Sequence, residues 1–154
     1  MDFVARRLIK TPKLYFHDVG LAAYLCGIEE AKQLETHPLR GGFFENMVVC
    51  ELIKARTNSG RDNRLMFFRD RAGREVDVLF PAGPRLLPME IKSGKTIRGE
   101  WFTGYAGLDR LSADFLDSGV VVYGGGEIQR RSAGTACGLW QLETVIAEIL
   151  GTKS

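Results

Sequence analysis

The stretch Leu65-Met-Phe-Phe-Arg-Asp70, Arg71-Ala-Gly73, Arg74-Glu-Val-Asp-Val-Leu-Phe80, Pro81-Ala-Gly-Pro84 and Arg85-Leu-Leu-Pro-Met-Glu-Ile-Lys92 decides how this chain folds. Its two turn signals, Arg71-Ala-Gly73 and Pro81 to Pro84, cut it into three β runs. Side chains alternate faces along a strand, so Glu90 and Lys92 point the same way, and a tight connection near Gly83 and Pro84 sets Asp77 roughly opposite Glu90. Two carboxylates and an amine then converge. Paired carboxylate oxygens suit a hard divalent cation such as Mg²⁺, and a nearby ammonium can position a water or stabilise charge on a phosphate. The stretch therefore reads as a candidate metal-dependent phosphodiesterase site.

The bland alternative is a solvent-facing carboxylate and lysine two residues apart, a pattern that arises often by chance. Against it stand Val76, Val78, Leu79, Phe80, Leu86, Leu87, Met89 and Ile91, which make both runs apolar enough for burial on two faces. Charges placed in such strands need partners.

Length and composition frame the rest. A chain of 154 residues supports one domain with a substantial core, and 45% hydrophobic against 26% charged residues argues against disorder. The net charge of +2 neither demands nor excludes a nucleic-acid partner, so charge distribution matters more. Lys54, Arg56, Arg61, Arg64, Arg69, Arg71 and Arg74, set against Asp62 and Asp70, suggest a local basic surface beside the site, or else a solvated helix end and hairpin turn. Cys26, Cys50 and Cys137 lack Cys-x-x-Cys spacing and read as small core residues in a reducing compartment. No apolar run approaches a membrane span and no signal-peptide segment opens the chain, which points to a cytoplasmic protein with no membrane partner.

Residues 1–13, with Arg6, Arg7, Lys10 and Lys13, read as a basic arm or linker remnant, and residues 14–151 as the folded domain. Asp18 is expected to cap a small apolar, packed helix through Cys26 that ends at Gly27. Pro38 and Gly41-Gly42 mark a loop before a stronger helix, roughly Phe43 to Arg56. On that helix Glu45 shares a face with Val48, Val49 and Leu52. If buried, it needs a donor, a metal or a metal-bound water; the alternative is a partly exposed first-turn Glu favoured by the helix dipole. Glu51 is expected to face solvent. Trp101, Tyr105, Leu108 and Leu111 are spaced for a helix from Glu100 to Leu111. Gly119 to Tyr123 reads as a buried strand, Gly124-Gly125-Gly126 as a turn, Glu127 to Arg131 as another strand, and Gln141 to Leu150 as a closing helix. The order implies an α/β fold, a mixed sheet with helices on both faces.

Lys13-Leu-Tyr-Phe-His-Asp-Val-Gly-Leu-Ala-Ala-Tyr-Leu25, Phe44-Glu45-Asn46-Met47-Val48 with Glu51-Leu52, Phe68-Arg69-Asp70, Glu75-Val-Asp77 and Pro88-Met-Glu90-Ile-Lys92-Ser93 together resemble the DUF4143 domain of the PD-(D/E)xK nuclease superfamily. Such domains lie at the C-terminus of many prokaryotic AAA-type ATPases. The resemblance implies a restriction-endonuclease-like core, with Asp77, Glu90 and the backbone carbonyl of Ile91 as ligands of Mg²⁺ or Mn²⁺. It implies that Lys92 orients or activates water and that Glu45 assists from the helix, a catalytic set of Glu45, Asp77, Glu90 and Lys92. It also sets Pro88 in a central strand, where its missing donor is otherwise unfavourable.

The chain holds no Gly-x-x-x-x-Gly-Lys-Ser/Thr loop, so no ATP site is expected in it, and no other cofactor site is indicated. It resembles a detached C-terminal domain whose ATPase partner normally shares the polypeptide. Two functions remain open: a divalent-metal-dependent nuclease acting on nucleic acid, DNA in the first place, and a non-catalytic module that binds nucleic acid or protein for the ATPase. The sequence leaves the oligomeric state open.

Overall fold

The computed structural model describes residues 12–151. The elements run α1 (Val19–Leu25), α2 (Ala31–Thr36), α3 (Arg40–Asn58), β1 (Met66–Arg69), β2 (Glu75–Ala82), β3 (Arg85–Lys92), β4 (Gly119–Tyr123), β5 (Gln129–Arg131), β6 (Gly134–Gly138) and α4 (Leu142–Leu150). Short 3-10 turns cover Gly99–Phe102 and Leu139–Gln141. The six strands form one mixed sheet in the order β1-β2-β3-β4-β6-β5. The pairs β1/β2, β2/β3 and β5/β6 are antiparallel, whereas β3/β4 and β4/β6 are parallel. This is the α/β architecture with a mixed sheet and flanking helices that the sequence implies.

Alternation along the central strands sorts their side chains into two cores. Val78, Phe80, Leu87, Met89, Ile91, Val120, Val122 and Cys137 pack with Val48, Val49 and Leu52 of α3 and with Leu142 and Val145 of α4. On the other face Val76, Leu79, Leu86, Val121, Tyr123 and Ala136 meet Phe102, Tyr105, Leu108 and Phe115. That second face is covered differently from the expectation of a helix over Glu100 to Leu111. The chain makes one 3-10 turn and then a series of turns, with Tyr105 and Leu108 buried but Leu111 exposed. Gly104 and Gly107 weaken a helix there, and Gly107 takes a φ of 79°, which a helix excludes.

Other expectations need correction. The helix capped by Asp18 is present, with the Asp18 side chain accepting from Leu21 N–H, but it is not packed all round: Leu21, Tyr24 and Leu25 are exposed and only Ala22 is buried. Cys26, at its C-terminal end, is exposed, while Cys50 and Cys137 are buried as expected. The Gly41-Gly42 pair lies inside the first turn of α3 and not in a loop, because tertiary packing of the helix outweighs the intrinsic cost of glycine. Strand β6 does not stand out in the sequence; its Gly-Thr-Ala-Cys-Gly stretch lacks the bulky alternation that marks a strand, yet it sits between β4 and β5. Among the described residues no helix is long and apolar enough to cross a membrane.

Pro88 is accommodated by register. Leu86 N–H donates to Asp114 O at 2.6 Å on the β4 side of β3. Alternate residues share that side, so the donor-free nitrogen of Pro88 also faces β4, just before the β3/β4 ladder opens at Met89 opposite Val120. Gly119 allows the close approach that follows. A Cβ there would lie 2.8 Å from Pro88 O and 2.7 Å from the Tyr105 ring. Gly119→Ala is therefore expected to cost about 1–3 kcal/mol in urea unfolding. Gly126→Ala, where a Cβ meets nothing within 4 Å, should leave the midpoint nearly unchanged.

Candidate functional site

The site forms where β2 and β3 part. Their backbone ladder runs from Ala82 opposite Arg85 to Val78 opposite Met89 and goes no further. On the other side of β2, two steps along β1 answer to three along β2, since Met66 pairs with Leu79 and Phe68 with Val76. The extra residue bends β2 at Asp77 and Val78, the behaviour of a β-bulge. Ile91 N–H still points toward β2, and the Asp77 side chain meets it, Oδ2 accepting at 2.8 Å. A carboxylate here replaces a backbone carbonyl. Because the N–H and C=O of a strand residue leave on the same side, the Ile91 carbonyl also faces the Asp77 side.

Glu90 projects to the opposite sheet face from Met89 and Ile91 and is only 5% exposed. Lys92 Nζ donates to Glu90 Oε2 at 2.7 Å and lies 3.6 Å from Asp77 Oδ2. Glu90 Oε1 is buried without a hydrogen-bond partner. Gly104 makes room for it, because a methyl group there would collide with Oε1. Burial pushes the Glu90 carboxyl up to about 7; the Lys92 hydrogen bond opposes that and the Asp77 charge reinforces it. Burial also works against the Lys92 ammonium, but the Glu90 hydrogen bond and the Asp77 charge outweigh it and raise its pKa.

A second ammonium closes the other side. Lys13 Nζ lies 2.9 Å from Glu75 Oε1, 3.1 Å from Glu45 Oε1 and 3.8 Å from Asp77 Oδ1. Tyr15 O–H donates to the same Glu45 oxygen at 2.7 Å. The segment is fastened to α3 by Asn46: its Oδ1 accepts Phe16 N–H and its Nδ2 donates to Phe16 O, both at 2.7 Å. Burial opposes the charged form of Lys13, yet the Glu75 hydrogen bond and the Glu45 charge raise its pKa. Burial likewise opposes the Glu75 anion, but Lys13, then Arg69 at 3.3 Å, lower its pKa overall.

Asp77, Glu90, Lys92 and the Ile91 backbone thus stand together, and Glu45 joins them through Lys13. Sequence reasoning missed Lys13, Tyr15, Glu75 and Gly104. Glu75 carried a signal, since Glu75-Val-Asp77 places two carboxylates two residues apart on a strand. Lys13 opens the Lys13–Leu25 stretch that carries the family resemblance, but its place in the site is hidden by the basic arm it adjoins, whose residues 1–11 lie outside those described. The basic surface is thinner than the sequence suggests. Arg56 is buried and donates to Asp62 O, Lys54 pairs with Glu51, Arg64 with Asp62 and Arg69 with Glu75. Arg61, Arg71 and Arg74 remain exposed.

The donor set at Asp77, Glu90 and the Ile91 carbonyl is all oxygen, which suits Mg²⁺ or Mn²⁺, and the unpartnered Glu90 oxygen is the kind of buried acceptor that a hard cation satisfies. Among the described residues no three His, Cys, Asp or Glu side chains form a ready-made metal cage. Lys92 stands between Asp77 and Glu90, and Lys13 lies against the other oxygen of Asp77.

A family model described as "Domain of unknown function (DUF4143)" matches residues 40–142. An uncharacterized protein of Mycobacterium tuberculosis and one of Mycobacterium bovis are each 29% identical over 93 residues, covering 60% of this chain and 20% of the relative. The chain thus spans about a fifth of the curated relatives it matches. No solved structure matches it.

The raised Glu90 pKa makes a pH prediction for the metal-free protein. Between pH 4.5, the ordinary value, and about 7, folded protein keeps a proton that unfolded chain releases. Stability from this group is therefore full below 4.5 and is lost as pH rises through about 7. Thermal melts across that window should show wild type losing stability relative to Glu90→Gln. Parallel curves would place the Glu90 titration at its ordinary value.

Proposed function

This chain belongs to the DUF4143 family, and we propose that it is a divalent-metal-dependent nuclease with a restriction-endonuclease-like PD-(D/E)xK core. The observation that carries the reading is the convergence of Asp77, buried Glu90 and Lys92 at the open end of the β2/β3 ladder. Asp77, Glu90 and the Ile91 carbonyl would hold Mg²⁺ or Mn²⁺. When bound, such an ion supplies neutralisation of the phosphate oxygens and a water of lowered pKa. Lys92, whose pKa is raised, keeps its proton at neutral pH and so serves as a donor that orients the nucleophile or the phosphate. Glu45 would assist from α3. Nucleic acid, DNA in the first place, is the proposed substrate, with Arg61, Arg71 and Arg74 among the exposed cations available to its backbone. An ATPase region in the same polypeptide is the proposed partner; the curated relatives extend far beyond the matched segment, which leaves room for one. The cytoplasm is the proposed compartment.

One observation favours a second reading, a non-catalytic module that binds nucleic acid or protein. Lys13 already pairs with Glu45, Glu75 and Asp77, which is how a purely structural ion network would be built.

Plasmid, linear and single-stranded DNA and RNA, incubated with Mg²⁺ or Mn²⁺, separate the two. Asp77→Asn keeps an oxygen for Ile91 N–H and should fold, yet cleavage should fall by about 100-fold or more. Equal cleavage by the variant would sink the nuclease reading. Salt-sensitive DNA binding indifferent to both Mg²⁺ and Asp77→Asn would establish the second.

A further inference from the structure

Three carboxylates, Glu45, Glu75 and Asp77, surround a single ammonium, Lys13 Nζ, at 3.1, 2.9 and 3.8 Å. The last two arrive from β2 and the first from α3, so the ammonium bridges helix and sheet at the mouth of the site. Lys92 already serves Glu90 and the other oxygen of Asp77. Asp77 is therefore held between two ammonium groups, one on each carboxylate oxygen, and the one on Oδ1 comes from outside the sheet.

We propose that Lys13 is a tethered counter-cation that neutralises Asp77 at Oδ1, together with Glu45 and Glu75, in the metal-free protein, so that a divalent metal taken up by Asp77 competes with its ammonium and displaces the side chain. This rests on the reading that Asp77 and Glu90 are metal ligands. The anchoring of the segment makes displacement a side-chain event. Asn46 clamps both the N–H and the C=O of Phe16, and Tyr15 binds Glu45, so the backbone stays in place. The flexible four-carbon stem of lysine lets its ammonium swing without that backbone. It already lies 5.4 Å from the centre of the Phe67 ring, a cation–π contact that gives the displaced ammonium a neighbouring position. Lys92 does not share this freedom, because it is bonded to a nearly fully buried carboxylate.

Mn²⁺ alone, titrated into the full chain and followed by the electron paramagnetic resonance of the free ion, tests the proposal without reference to cleavage. Lys13→Met and Lys13→Gln, each checked by circular dichroism, should bind Mn²⁺ about tenfold or more tightly than wild type, since a competing charge is gone. Adding Asp77→Asn to either should abolish the gain. Equal or weaker binding by both Lys13 variants, with Asp77→Asn still abolishing binding in wild type, would overturn the displacement and leave the metal site standing. Failure of every protein to bind Mn²⁺ would overturn the metal reading and the displacement with it.

Discussion

One hydrogen bond organises the site: Ile91 N–H to Asp77 Oδ2. Where two strands diverge, the next backbone donor loses its partner, and leaving it unmet while buried costs about 1–3 kcal/mol. Here the bulge in β2 takes the backbone away and the Asp77 side chain meets the donor. A carboxylate is thereby fixed at a sheet interior by the needs of the main chain. Everything charged nearby follows, since Lys92 and Lys13 each answer one of its oxygens.

Glu90 imposes the second constraint. A carboxylate this deeply buried is accommodated by a raised pKa and by the partly exposed Lys92 ammonium that pairs with it. Its bulk also dictates the covering layer. Gly104 must lack a side chain, and with Gly107 at positive φ the covering segment goes through turns where a helix was expected. Trp101, Tyr105 and Leu108 still fill or flank the second core, but from turns.

The parts legible in the sequence were those set by local pattern. Three strands, the turn near Gly83, the closing helix and the Asp77, Glu90 and Lys92 grouping all follow from alternation and turn chemistry. What escaped depends on contacts remote in sequence. Lys13 reaches Glu75 and Asp77 over a span that no periodicity encodes, and β6 draws its place from neighbouring strands and not from its small residues. The exposed Leu21, Tyr24 and Leu25 look like core in a helical reading because apolar content alone cannot reveal which face lacks a cover.

The clamp between Asn46 and Phe16 touches only main-chain atoms of residue 16, and the Phe16 ring itself is more than half exposed. Substitution tolerance should therefore divide unevenly between the two. Position 16 can change identity freely so long as it keeps an N–H, which bars proline alone. Position 46 must both give and accept, which only an amide does at that length: aspartate offers no donor and leucine offers neither. Tolerance at the strap and constraint at the helix are thus two sides of one contact, and the anchor three residues from the lysine holds whichever side chain stands at position 16.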